Sequence, residues 1–284
     1  MKKQIISTIL GTIVLASALA VSACSKDEGE IKIAIPNDTT NEARALLLLQ
    51  ELGYIKVDPS AGILATPSDI TENPHNIKFE EVEAAQVPAI LQDVDYAVIN
   101  SNYAIDAGLN PVSDSLGIEN SASAYVNILV VEEGNENDDA ARALAAALQS
   151  QQVVDFINAE YDGAVLPVVS DPTDGYDDSV DYDALAGTTI SIGASPTPHA
   201  EILEVVADIL AEKDIDLDII EFTDYVQPNL VVESGEVYAN YFQHVPYLDD
   251  FNAENGTHLV SVAGVHVEPM ALYGGQESDL DALK

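Results

Sequence analysis

Short apolar runs alternate with amphipathic ones along almost the whole of this chain, and that alternation restricts it to an α/β architecture. Residues 31–35 form an apolar strand ended by Pro36. A helix follows: Thr39 and Glu42 have capping-box spacing, Leu46, Leu47 and Leu49 supply the apolar face, and Gly53 is a natural stop. Further strands are expected at 77–82, 96–99 and 128–131. Residues 138–161, alanine-rich and amphipathic, read as one long helix or two broken near Ser150. The pattern resumes with a strand at 189–193 and a helix that opens near Pro198 and buries Ile202, Val205, Val206, Ile209 and Leu210. Strands are expected again at 217–222 and 259–265, with a helix at 246–254 between them. The stretch 170–187 is acidic, poor in aliphatics and without period, which is the composition of a linker.

The N-terminus reads as an export signal rather than a structural helix. Lys2 and Lys3 precede an apolar stretch from Ile5 to Val21, and Val21-Ser22-Ala23-Cys24 fits a lipobox in which Cys24 takes the lipid. A transmembrane anchor is the alternative, but the stretch is short for a span of about 20 residues. Cys24 is also the chain's one cysteine, so disulfides and thiolate metal sites are excluded from the mature protein. The expected organisation is a signal peptide at 1–23 and a short tether at 24–30. The roughly 260 residues that follow are enough for two lobes. Ten basic residues against 49 acidic ones give a formal charge of −39. Such a surface repels phosphate backbones and anionic headgroups, which argues against nucleic acid as a partner and makes a covalent anchor to the membrane more necessary. High-salt adaptation is one reading of this charge, since salt screens self-repulsion.

Motifs for enzymatic chemistry are missing: there is no Gly-x-Ser-x-Gly, no glycine-rich phosphate loop and no His-Glu-x-x-His. The expectation is a non-enzyme with no cofactor. The five histidines, at 75, 199, 244, 258 and 266, lack metal-ligand spacing, so no metal site is expected either. Arg44, one turn into a helix headed by a polar turn, could grip a carboxylate with its fork of donors. It could equally be a surface arginine paired with Glu42. Asn102 and Asn127 flank strand-like runs, where turn asparagines are common. Tyr225, Phe242, His244 and Tyr247 could line an apolar pocket or form a small aromatic core.

Two blocks of sequence bear on these alternatives. Ile35-Pro36-Asn37-Asp38-Thr39-Thr40-Asn41-Glu42-Ala43-Arg44 lies just behind the signal; Phe222-Thr223-Asp224-Tyr225-Val226-Gln227-Pro228-Asn229 and Asn240-Tyr241-Phe242-Gln243-His244-Val245-Pro246-Tyr247 lie near the C-terminus. Together with Val98-Ile99-Asn100-Ser101-Asn102-Tyr103-Ala104, Pro198-His199-Ala200 and Val265-His266-Val267-Glu268-Pro269-Met270, they resemble the methionine-binding lipoproteins of ABC importers, the MetQ/NlpA family. In that family the aromatic block comes first, so the resemblance implies a circularly permuted member. It implies a two-lobe, periplasmic-binding-protein-like (type II) fold, with one lobe at 31–130 and the other at 131–284. The linker 170–187 would close the family's usual termini. One hinge would survive near 130–134, and the other crossover would be cut open between Lys284 and Ile31. It implies capture of L-methionine on the extracytoplasmic face of the membrane and delivery to an importer's permease and ATPase. D-methionine, methionine derivatives or peptides, or an adhesin or signalling role, are the alternatives. Arg44 would take the ligand carboxylate, Asn102 and Asn127 would contact its polar end, and Tyr225, Phe242, His244 and Tyr247 would line the methionine side chain.

Overall fold

The computed structural model describes residues 29–120 and 125–284; the expected signal peptide at 1–23 and Cys24 lie outside the described residues. The chain first builds β1 (Ile31–Pro36), α1 (Thr39–Glu51), β2 (Lys56–Val57), β3 (Ile70–Glu72), β4 (Ile77–Val82), β5 (Tyr96–Ile99), α2 (Ser101–Asp106) and β6 (Gly117–Ile118). It then passes to β7 (Val126–Glu132), α3 (Asp139–Leu148), α4 (Gln151–Glu160), β8 (Leu166–Pro167), α5 (Tyr182–Leu185), β9 (Thr189–Ala194), α6 (Glu201–Ala211), β10 (Asp216–Glu221), α7 (Gln227–Glu233), β11 (Ala239–His244), α8 (Val245–Asn255) and β12 (Leu259–Val267). Finally β13 (Ala271–Gly274) returns to the first group.

The strands form two main sheets, ordered β4-β1-β5-β13-β6 and β10-β9-β11-β7-β12-β8. In each sheet three strands run parallel, and the remainder are antiparallel additions. Helices cover both faces, so a central parallel strand is buried on both sides and reads as a continuous apolar run. This is why Ile33, Ala34 and Ile35 are all buried, as are Tyr96, Ala97, Val98 and Ile99. Helix α6 instead shows one stripe, with Ile202, Leu203, Val206, Ile209 and Leu210 buried. Each such side chain contributes roughly 1.5–3 kcal/mol by leaving water. The helix expected across 138–161 breaks at Ser150, whose hydroxyl accepts from the Val153 N–H and caps α4. At α1 the cap is Asp38 rather than Thr39: its carboxylate accepts from the Asn41 N–H.

The expected lobe limits need correction. A division between 130 and 131 would cut β7, which is paired along its length with β11 on one side and β12 on the other. Strand β13 pairs with β5, and Leu272 and Leu283 are buried in the same core as Ile33 and Leu46. The first lobe is therefore 31–120 with 269–284, and the second is 125–268. Two connections join them, one leading from β6 to β7 and one at 268–270, so neither crossover is cut and 130–134 is not a hinge. The stretch 170–187 is not an unstructured linker either. Thr173 bridges to Ser150 and donates to the Ala146 carbonyl at 2.6 Å, and the Tyr176 hydroxyl donates to the Ile209 carbonyl at 3.1 Å. Lys213 lies over the Tyr176 and Tyr182 rings at 4.4 and 5.5 Å. It is an acidic strap folded onto the second lobe, and α5 is part of it. Among the described residues no helix is long and apolar enough to cross a membrane.

Candidate functional site

In α/β sheets of this kind, ligand sites form outside the C-terminal ends of parallel strands. Here four such ends face one another across the two lobes. Strand β1 runs into the start of α1, carrying Asn41 and Arg44, and β5 runs into Asn100, Ser101 and Asn102. From the other lobe β9 leads to His199, and β11 ends on His244 at the start of α8. Between them is a small, narrow cavity. All seven residues singled out in the sequence line it: Arg44, Asn102, Asn127, Tyr225, Phe242, His244 and Tyr247. So do Asn41, Asn100, Ser101, His199, Gln243 and Glu268.

Arg44 is 5% exposed and already heavily bonded. Its Nε donates to both Glu119 oxygens at 3.0 and 3.1 Å, and Nη2 donates to Glu119 Oε2 at 2.5 Å and to the Glu268 carbonyl at 2.8 Å. The guanidinium carbon lies 4.1 Å from the centre of the Tyr125 ring. Of its three nitrogens, only Nη1 lacks a partner among the described residues. The Nε–Nη2 edge that could grip two ligand oxygens is closed on Glu119 in this structure, which leaves Nη1. Asn102 Oδ1 accepts from the Tyr225 hydroxyl at 2.6 Å, so its amide nitrogen is the atom left to donate. Nδ1 of His244 accepts from the Tyr247 N–H at 3.2 Å, which leaves Nε2–H as a donor. Burial first, and then the positive charge of Arg44, holds His244 neutral, well below the usual imidazole range.

A second polar group adjoins Arg44. Glu268, in the connection between β12 and β13, takes His266 Nε2 at 2.8 Å and His199 Nε2 at 3.2 Å on one oxygen. His199 Nε2 also lies 2.9 Å from Asn127 Oδ1. Both contacts of this nitrogen are to acceptors, so it carries the proton and Nδ1 keeps a lone pair. That Nδ1 is buried without a partner among the described residues, as is Asn100 Oδ1. The His266 Nδ1 pairs in turn with the buried Tyr241 hydroxyl. Burial pushes both histidines down to about 3, so they act as neutral donors. Burial raises the Glu268 carboxyl, against the opposing pull of His199, Arg44 and the Asn102 N–H.

The remaining wall is aromatic. Tyr225 lies 5.0 Å from Tyr103 and 5.8 Å from both Phe242 and Tyr247 between ring centres. Tyr247 donates to the Tyr225 carbonyl at 3.0 Å, which fixes the pair. Two bonds here also join the lobes: Tyr225 to Asn102, and the Tyr103 hydroxyl to the Thr223 carbonyl at 3.2 Å. The lobes therefore meet around the cavity.

Sequence reading passed over Glu119, Tyr125, Asn100, His199, His266 and Glu268 as functional residues. Histidine spacing suggested no cluster, yet ligand atoms of His199, His266 and Glu268 lie within 4.8 Å of one another. The signal that could have found part of it is His266-x-Glu268 at the end of a strand, where alternate residues share a face.

A two-lobe α/β fold with a polar and aromatic cavity between the lobes defines a periplasmic-binding-protein-like class. A model of the NlpA lipoprotein family matches residues 22–169 and 190–284, and the chain belongs to that family. It is thereby placed among lipid-anchored proteins of the extracytoplasmic face. It is 47% identical to membrane lipoprotein TpN32 of Treponema pallidum over 131 residues, covering 46% of this chain and 49% of that one. It is 40% identical over 137 residues to the D-methionine-binding lipoprotein MetQ of Escherichia coli, covering 48% and 51%. The chain thus spans about half the length of the curated relatives it matches. Among solved structures, a nutrient-binding protein of Burkholderia cenocepacia bound to methionine is 44% identical, with 47% and 56% covered and a TM-score of 0.46.

Proposed function

We propose that this protein is a solute-binding lipoprotein that captures methionine outside the membrane and delivers it to the permease and ATPase of an ABC importer. The observation that carries the reading is the division of one cavity into a polar wall, with Arg44, Asn102 and Asn127, and an aromatic wall, with Tyr225, Phe242 and Tyr247. A free amino acid with an apolar side chain needs both. Its carboxylate would meet Arg44 Nη1 and neighbouring donors, and its thioether would pack on the rings at about 0.3–1.5 kcal/mol per contact. Ligand would enter between separated lobes, and closure would follow through the two connections. No covalent step is involved.

L-methionine is the main reading. D-methionine is favoured by a specific observation, since several relatives at about half coverage bear the name D-methionine-binding lipoprotein. The same reading takes the chain as a circular permutant and the strap 170–187 as the closure of the ancestral ends. In its support, the family match breaks between 169 and 190, where that strap lies. A thermal-shift panel of the standard amino acids and both methionine enantiomers, on protein refolded free of ligand, tests the ligand. A ligand at about 100 times its Kd should add about 2.7 kcal/mol. Stabilisation by methionine of either hand is expected; a response to another amino acid alone would displace the reading.

A further inference from the structure

The polar atoms around the cavity fall into two sets. Arg44 Nη1 and the Asn102 amide nitrogen are donors by nature, and His244 Nε2 is one because Nδ1 accepts from the Tyr247 N–H. The Glu268 carboxylate, Asn100 Oδ1 and His199 Nδ1 accept, and the last two are buried without a partner among the described residues. Orphaned buried acceptors are costly unless a ligand supplies N–H groups. The charges divide in the same way. Arg44 and Glu119 neutralise each other, which leaves Glu268 as a further buried carboxylate on the wall.

We propose that Glu268 is the receptor for the ligand's ammonium group, and that His266 and Tyr241 are positioning residues that hold its carboxylate toward the cavity. The inference rests on the methionine reading above. Tyr241 donates its proton to His266 Nδ1, which commits Nε2–H to Glu268. His199 steadies the same oxygen from the other side, at 3.2 Å. Two neutral donors on one oxygen favour the ionised carboxylate without cancelling its charge. A divalent cation is the competing occupant of this cluster. It would need lone pairs where both Nε2 atoms carry protons, and protons there explain every contact observed.

The test compares methionine with its desamino analogue, γ-methylthiobutyrate, by calorimetry on the full chain. Wild type should bind methionine far more tightly. In Glu268→Gln the methionine-to-analogue affinity ratio should fall on the order of 10–100-fold, because only the amine-bearing ligand loses its charged partner. Glu268→Asp, which keeps the charge but withdraws it, should give an intermediate ratio. His266→Leu should lower the ratio and His266→Gln, which restores a donor, should recover part of it. Equal losses for both ligands would show a merely structural role and overturn the inference while leaving methionine capture standing. A wild type that binds neither ligand would overturn both. Methionine binding that requires added Zn²⁺ after chelator treatment would also overturn it, by placing a metal on Glu268.

Discussion

Replacing Arg44 by alanine should destabilise the ligand-free protein as well as weaken capture. The side chain is buried, its fork is closed on Glu119 by three contacts of 2.5–3.1 Å, and it also satisfies the Glu268 carbonyl at 2.8 Å. Removing one partner of such a pair leaves an uncompensated carboxylate and costs about 3–5 kcal/mol. The orphaned carbonyl adds to this, whereas Glu119, whose side chain is 15% exposed, regains some water. We therefore expect about 3–5 kcal/mol, a large share of a typical total of about 5–15 kcal/mol. Urea unfolding of ligand-free protein reads this directly. The control is Arg142→Ala: Arg142 pairs with Asp139 across one turn, and both side chains are about one third exposed. Exposed pairs of this kind are worth about 0.2–1 kcal/mol. If Arg44→Ala unfolds within about 0.5 kcal/mol of wild type, the Arg44–Glu119 pair is not the anchor inferred from these distances.

Gly275→Ala should destabilise by about 1–3 kcal/mol or more in the same assay, since a Cβ there would lie 2.1 Å from the Leu91 carbonyl and 2.4 Å from that of Val94. Tyr225→Phe should lower ligand affinity about 5–10-fold, because it breaks a bond between lobes and orphans Asn102 Oδ1; an unchanged Kd in calorimetry would show that this bond does not report closure. Burial, then Glu81 and Asp38, pushes the Glu42 carboxyl from 4.5 up to about 7. A raised acid favours the folded state only while protonated, so its contribution is full below pH 4.5 and declines as pH rises to about 7. Glu42→Gln should therefore raise stability above neutral pH and change nothing in acid, as unfolding midpoints across pH would show.

Much of the fold is written locally. Strand β5 and residues 33–35 of β1 are buried on both faces and so are apolar throughout, and the Ser150 break is visible as a cap residue within an alanine-rich run. Strand β11 was hidden because it buries polar residues: Asn240 and Gln243 are satisfied by Asn229 at 2.6–3.0 Å, a network that no hydrophobic period reveals. The lobe limits were misread for a related reason. The return of β13 to β5 is a long-range pairing, and the lobe boundary follows that ladder rather than any shift in composition. The cavity residues were legible through family strings, but their bonding was not. Glu119 lies 75 residues from Arg44, and only the folded chain shows that it occupies the guanidinium edge expected to serve the ligand. The Glu268 cluster likewise draws on residues 199, 266 and 268.

The central claim is that the cavity between the lobes holds methionine. Calorimetric titration of the ligand-stripped protein with each methionine enantiomer tests it most directly. The account predicts saturable binding of one methionine per chain. A natively folded protein that takes up neither enantiomer would contradict it.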